Sequence, residues 1–450
     1  MGRPRIVKVG HSTPVRHVTW KVIRSGGRII ERMEWFPYKE VFLSALHDMK
    51  APPDPWVCIM CRKDELYQCT ECAYRPIFCS KCCIATHELH PFHQIERWSV
   101  TCFEDFTLRL AGFVMHLGHG GKPCPCSGYS GQNICSSQEN EWEDVNMGVV
   151  HTNGVHYCDI WYCSCDGSKG SQMQLLRAGL FPATTRDCRT AFTFHDLDDF
   201  LLDNVESGTT AMNYYSKLHR VTSNAFLHLV PDRYRELLRL SQAWRHLKLL
   251  KWKGFHAGAC DPGLGDLVLF CPACPQPGIN ILPEDNIDMS DYKWKYSQVI
   301  VVDGNFKAEY MASKNTDSEC WLMDGHGYMM GSQRYKAYLT GTETRVTRSN
   351  CSNHHVVNQA SANRGHLEST GIGGCACARH GCFIPHVMVD FQKGEQQKNM
   401  DYAFIHAIQH QMQPAQRVIH FYNINCQYSI NLQQQIATNP LIFILEGIHI

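Results

Sequence analysis

WVCIMCRKDELYQCTECAYRPIFCSKCCIATHELHPFH, residues 56–93, decides how the N-terminal part of the chain folds. Its ligand-type residues fall at Cys58-x2-Cys61-x7-Cys69-x2-Cys72-x6-Cys79-x2-Cys82-x4-His87-x5-His93. Zinc takes four nitrogen or sulfur ligands in a tetrahedron, and a C-x2-C turn presents two thiolates to one ion. Eight donors therefore imply two ions. Pairs interleaved this closely are normally satisfied by a cross-brace, with Cys58, Cys61, Cys79 and Cys82 on one zinc and Cys69, Cys72, His87 and His93 on the other. His90 competes with His93 for the last position, and Cys83 is a spare thiol beside a ligand. With every position filled, no coordination site is open for catalysis. The module reads as a binding scaffold for which zinc is part of the fold.

Around this segment the 450 residues hold 24 cysteines and 25 histidines. Disulfides in an oxidising compartment or thiolate ligands in a reducing one both account for such numbers. MGRPRIVKVG at the N-terminus has no apolar signal region, and Ile6 stands where a myristoylation signal wants Ser or Thr. No apolar run approaches the length of a membrane span; PLIFILEGIHI near the C-terminus is short and holds Glu446. The expectation is a soluble, intracellular, thiol-reduced chain with no membrane partner. Lys plus Arg and Asp plus Glu both number 43, so an anionic partner must meet a local basic patch.

Composition divides the chain into an N-terminal segment 1–50, a zinc-binding cysteine cluster 51–126, a Gly/Ser/Asn/Gln-rich linker 127–140, a mainly helical region 141–296 and a strand-rich α/β domain 297–450. In the first segment, Val41, Leu43, Leu46 and Met49 recur at helical spacing. A helix is predicted from Pro231 to about Lys253, stopped by Gly254, with Leu237, Leu240, Trp244 and Leu247 as its apolar seam. Arg235, Arg239, Arg245, Lys248 and Lys251 on its other faces are either solvated or set against DNA phosphates. QVIVVDGNF from 298 reads as a buried strand ending in a carboxylate, with ECWLMDGHGYMM and RVIHFYNINCQY as further strands.

Two further groups have metal-ligand character. Cys163-x-Cys165, preceded by His156 and Cys158, and Cys271-x2-Cys274 each offer half a site and together could make a whole one. Cys351, His354 or His355, Cys375, Cys377, His380 and Cys382 crowd around GIGGCACARHGC and suggest one zinc. LGHGGKPC at 117–124 fails as a phosphate loop, because Pro follows the Lys.

The eight-ligand order resembles B-box-type fingers. Over a longer range, the CxxC series, CSKCCIATHELHPFHQIERW, LGHGGKPCP, QLLRAGLFPAT, FCPACPQPG, VVDGNF, TGIGGCACARHGCF, VDFQKGEQQKNMDYAF and FYNINCQY run in the order found in the Kyakuja-Dileera-Zisupton (KDZ) transposases and their CxC-type cysteine cluster. The resemblance spans roughly residues 56 to 430. It implies an RNase H-like DDE domain, two divalent ions (Mg²⁺ or Mn²⁺), DNA as partner and the nucleus as location.

Asp303 matches the first acid of that family, and Asn423 stands where the family has its second, an Asp. Asn supplies a neutral oxygen where the ions need a negative one. The third acid belongs to a later segment, and Glu446 lacks its surroundings. Asp390, Glu395 and Asp401 support the site or are ordinary solvated and capping carboxylates. The whole is read as an α+β multidomain protein: a cross-braced two-zinc finger, a helical middle and an incomplete RNase H-like domain. The expected function is a truncated, inactive transposase. Its rivals are a domesticated zinc-finger protein that binds DNA or protein, and an active enzyme with a non-standard third acid.

Overall fold

The computed structural model describes residues 36–126, 147–281, 296–312, 321–342, 366–410, 417–425 and 428–429, apart from the isolated positions 53, 65, 259, 277 and 393. The linker 127–140, Cys351, His354, His355 and Glu446 lie outside the described residues. Two compact units divide between Thr193 and Phe194.

In the first unit, helix α1 (Lys39–Asp48) precedes a short antiparallel sheet of β1 (Tyr67–Cys69), β2 (Ile77–Phe78), β3 (Ile95–Trp98) and β4 (Phe103–Phe106), ordered β2-β1-β3-β4. Helix α2 (Ser80–Thr86) starts beside Cys79 and presents Cys82, Cys83 and, just past its end, His87. The strands are too short to bury a core alone: the buried set here is largely Cys58, Cys69, Cys79 and Cys83 with Phe78, Ile95, Leu108 and Phe113. A core made so largely of thiols depends on what the thiols bind.

The region expected to be mainly helical, 141–296, is corrected by the structure in its first part. Strands β5 (Val114–His116), β6 (Met147–His151), β7 (Gly154–Trp161), β8 (Leu180–Pro182) and β9 (Thr190–Thr193) form a sheet ordered β5-β7-β6-β9-β8, with helix α3 (Ser171–Arg177) beside β8. Leu117, Val149, Ile160, Leu175, Leu180 and Ala191 are its core. The half-buried pair Arg109–Asp159, 3.1 Å apart, ties the segment before β5 to β7.

Asn153, in the β6–β7 turn, brackets the finger to this sheet. Its Nδ2 donates to Glu71 Oε1 and to Phe92 O, both at 2.7 Å, and its carbonyl accepts from Gln94 Nε2 at 2.6 Å. The finger is thus continuous with the sheet that follows.

The second unit opens with three helices, α4 (Phe194–Ser207), α5 (Ala211–Thr222) and α6 (Tyr234–Trp252). Tyr214 donates to Asp199 Oδ2 at 2.8 Å and Trp244 to Asp198 Oδ1 at 2.7 Å, which fastens α5 and α6 to α4. Leu237 and Leu240 of the expected seam are buried, whereas Leu247 is exposed.

Farther on, β10 (Gln298–Asn305) is the centre of a second sheet. β11 (Tyr310–Met311) and β12 (Leu367–Ser369) pair separately, while β13 (Ile372–Cys377), β14 (Val389–Asp390) and β15 (Val418–Tyr422) complete the order β14-β13-β10-β15. β13 runs antiparallel and β15 parallel to β10. Helix Gln397–Gln409 makes the connection between β14 and β15 and packs on β13. ECWLMDGHGYMM is not a strand where it is described: turns occupy most of it, and only Met329 bridges to Met388.

The glycines of β13 are explained by what lies over them. A Cβ on Gly373 would sit 2.5 Å from Phe391 Cζ and 2.7 Å from Met400 Sδ. Phe391 and Met400 are buried in the main core with Ile300, Val302 and Val418. Gly373→Ala is expected to destabilise the second unit by about 1–3 kcal/mol through overpacking, read as a lower denaturant midpoint; an unchanged midpoint would show that the two side chains yield freely.

On the other side of helix Gln397–Gln409, His406 and His410 are one turn apart and face His386, with ring centroids 6.1 and 5.2 Å from it. His386 Nδ1, His406 Nε2 and His410 Nε2 are buried without a hydrogen-bond partner. Burial holds all three rings below the usual imidazole range, His406 and His410 down to about 4.

Candidate metal centres

Among the described residues, four clusters of Cys and His have donor atoms that lie within 4.8 Å of one another in each cluster. The first is Cys58, Cys61, Cys79 and Cys82, with Cys61 and Cys79 sulfurs 3.4 Å apart. Burial works against the Cys58 thiolate, but backbone N–H groups of Cys61, Cys79 and Met60 override it and hold the group down at about 6. Cys82 is pushed up to about 12, chiefly by sharing protons with Cys79 and Cys61. Four thiols without a cation cannot all carry charge, and a bound dication removes that conflict.

The second cluster is Cys69, Cys72, His87 and His93. His93 Nδ1 lies 3.5 Å from the sulfurs of both Cys69 and Cys72, and His87 Nε2 lies 3.6 Å from Cys72. His87 Nδ1 is hydrogen-bonded to Cys83 O at 2.7 Å, so Nε2 is the nitrogen left for a metal. His90 stacks on His93 at 4.8 Å between centroids and does not enter the cluster.

A third cluster joins His119 and Cys124 to Cys163 and Cys165, which sit just beyond β7. His119 Nε2 is 3.2 Å from Cys163 and 3.4 Å from Cys165, and the Cys124 and Cys165 sulfurs are 3.5 Å apart. The Ser164 and Cys126 backbone N–H groups draw Cys124 down to about 5. Gly118 has φ +88°, and a Cβ there would press within 3.0 Å of Cys163 Cβ, so glycine is required for the turn to reach β7. The segment that fails as a phosphate loop supplies two ligands here; a His and a Cys separated by four residues of Gly-Gly-Lys-Pro was the available signal.

The fourth cluster is Cys271, Cys274, Cys377 and His380. Two expectations are therefore corrected. Cys163–Cys165 and Cys271–Cys274 belong to different units and do not share a site. Cys375, grouped by sequence with Cys377 and His380, points instead into the hydrophobic core and is fully buried. His156 is likewise engaged elsewhere, 2.7 Å from Asn153 Oδ1, and Cys158 is a core residue. The alternation of side chains along a strand puts Cys375 and Cys377 on the same face, but Cys377 is at the strand's end, where the chain turns toward His380.

The carboxylate edge is at the other end of β10. Parallel pairing runs to Val302 opposite Tyr422, so the next residues, Asp303 and Asn423, stand beside each other where adjacent parallel strands end. Both are exposed, and Asp303 Oδ1 accepts the Gly304 N–H at 2.8 Å. Buried Tyr422 donates to Glu395, and burial and the Glu395 charge together raise its phenol. Asp401 is buried behind this edge and burial lifts it to about 7, against the hydrogen bond from Tyr428. Asp390 is raised by burial as well.

The basic face of α6 is partly spent within the unit. Lys248 pairs with Asp198 and lies over the rings of Trp244 and Trp252, and Arg245 donates to Asn204 Oδ1 at 2.6 Å. Arg235, Arg239 and Lys251 are exposed.

Family comparison gives two matches. Residues 296–447 match the Kyakuja-Dileera-Zisupton transposase family. The C-terminal third of the chain is thus a KDZ transposase segment. Residues 108–225 match the CxC2 like cysteine cluster associated with KDZ transposases. That segment contains the whole third cluster and neither of the cross-braced pair, so it shares only 108–126 with the 51–126 span expected from sequence. No curated protein and no solved structure matches the chain. The KDZ segment carries Asp303 and Asn423, and the clusters are compatible with zinc. Among the described residues, no helix is long and apolar enough to cross a membrane.

Proposed function

We propose that this is a transposase-derived, zinc-braced protein of the nucleus that associates with DNA and has lost strand-transfer chemistry. The observation that carries the reading is the juxtaposition of Asp303 with Asn423 at the ends of neighbouring parallel strands. The sheet order β14-β13-β10-β15, with one antiparallel and one parallel neighbour to β10 and a helix before β15, supports an RNase H-like core. In that arrangement the two strand ends are where a pair of Mg²⁺ or Mn²⁺ ions would be gripped to activate water and stabilise the leaving oxygen. Asn423 offers a carbonyl oxygen without charge, so the edge holds one acid fewer for hard cations that select anionic oxygen ligands.

In the first unit, the three clusters built from Cys58 to Cys165 hold zinc in a structural role. Each supplies four N/S donors and leaves no position open to substrate. Exposed Arg235 and Lys251 on α6 support contact with phosphates, with Arg245 and Lys248 held in internal pairs.

The test is a strand-transfer assay on duplexes carrying candidate transposon ends, with Mg²⁺ or Mn²⁺. The unmodified chain is expected to give neither nicked nor joined product, and Asn423→Asp alone is expected not to restore it. Metal-dependent joining by the unmodified chain, lost on Asp303→Ala, would overturn the reading.

A further inference from the structure

The fourth cluster combines residues more than a hundred positions apart. Cys271 and Cys274 lie ahead of the matched KDZ segment, whereas Cys377 and His380 lie within it. Cys271 and Cys274 are 0% exposed and Cys377 3%, while His380 closes the cluster from the surface. His380 Nδ1 is 3.3, 3.6 and 3.5 Å from the sulfurs of Cys271, Cys274 and Cys377. Tetrahedral zinc, with Zn–S about 2.3 Å and Zn–N about 2.0 Å, places neighbouring donors roughly 3.5 Å apart. The Cys274 and Cys377 sulfurs are closer, at 2.9 Å, and all three thiols are free. Cys382 packs against the trio without joining the four donors.

Around the donors the backbone is built to hold such a centre. Gln276 Nε2 donates to Cys271 O at 2.7 Å, and Asn280 Nδ2 donates to Cys274 O at 2.8 Å. These bonds fix the CPAC turn. Gln298, the first residue of β10, donates to Pro275 O at 2.7 Å, and Ala378 N–H donates to Val299 O at 2.8 Å. Cys377 itself pairs with Ile300 in the β10–β13 ladder.

We propose that Cys271, Cys274, Cys377 and His380 hold one structural zinc ion, which staples the 271–275 turn onto the start of β10 and the end of β13. The folded unit containing Asp303 therefore begins at or before Cys271, not at 296 where the family match begins. The ion acts at the opposite end of β10 from Asp303, so it sets strand position and takes no part in chemistry there. This inference is independent of whether the Asp303 edge is active.

The experiment uses the full chain. Cys274→Ser and Cys377→Ser are each expected to lower the zinc content by one ion per chain. Hydrogen exchange over 298–305 and 372–377 is expected to rise by about tenfold or more, with 147–161 unchanged. Should the variants fail to fold, the unmodified chain still decides: Cys271, Cys274 and Cys377 should resist alkylation until a zinc chelator is added, then react together. Unchanged zinc content in a folded variant, alkylation before chelation, or continued protection after it would each overturn the proposal.

Discussion

Stripping zinc from the full chain with a strong chelator should unfold the first unit. The expected result is loss of the two β-sheets between Tyr67 and Thr193, seen as collapse of hydrogen-exchange protection in β1–β9 and as a lost cooperative transition. A structural zinc contributes about 10–16 kcal/mol in small fingers. A whole domain is stable by only about 5–15 kcal/mol. The sheet β2-β1-β3-β4 has strands of two to four residues, and half of the buried cluster beneath it is cysteine. With the ions gone, four thiols in a space of 4.8 Å either keep their protons and lose their partners or carry charges that repel. His87→Ala is a sharper version, because His87 is fully buried and belongs only to the second cluster. That variant should lose one zinc and most of the stability of 58–116. Retention of the native exchange pattern after chelation would show that the apolar core suffices.

Acidification should destabilise the second unit between about pH 6.5 and pH 4. His406, His410 and His420 are each held down to about 4 by burial, and His386 is lowered for the same reason. The groups facing the His386 cluster are Arg334, which lowers His386 and His406 further, Asp266, which partly offsets the effect at His410, and Tyr402, whose ring lies 4.4 Å from His406. The sign follows from proton counting. Above about 6.5 the rings are neutral in both states and cost nothing. As pH falls through that value the unfolded chain takes up protons that the folded chain refuses, so stability drops until the folded rings also titrate near 4.

A shift of this size corresponds to about 3 kcal/mol at most per ring, and screening at partly exposed rings reduces it to about 1–2. Denaturant midpoints from pH 7 to 4.5 should therefore fall, and the double variant His406→Gln, His410→Gln should flatten the slope. An equal slope in that variant would assign the acid sensitivity to the zinc thiolates instead.

What could be read from sequence divides by range. VIVV before Asp303 announces a buried strand because an uninterrupted apolar run needs cover on both faces, VIHFY before Asn423 announces one through its β-branched and aromatic residues, and both are strands. The helix at Tyr234–Trp252 follows from a stop at Gly254 and a periodic seam. Strands β8 and β9 are three and four residues long, and β9 owes its conformation to β6 and β8 to β9, so no local pattern announces them. ECWLMDGHGYMM looks strand-like by composition, yet Gly325 at φ +80° turns the chain.

The same limit governs the Cys/His clusters. Cys58 to His93 can be grouped from spacing because every ligand is local. For the third and fourth clusters, each C-x-C or C-x2-C shows half a site, while the other half arrives from 39 or 103 residues away and is fixed only by strand pairing. Asp303 and Asn423 become neighbours for the same reason, through the parallel register of β10 with β15.

The bracket made by Asn153 bears on how such a chain can be rearranged over evolutionary time. A recombination that carried residues 51–126 alone into another gene would leave Glu71, Gln94 and the Phe92 carbonyl without their hydrogen-bond partners, and would split His119 and Cys124 from Cys163 and Cys165. The finger is not a portable cassette. The smallest inheritable block runs from the first cysteine pair through β9, and exon boundaries or fusion points that respect the protein's physics fall outside it.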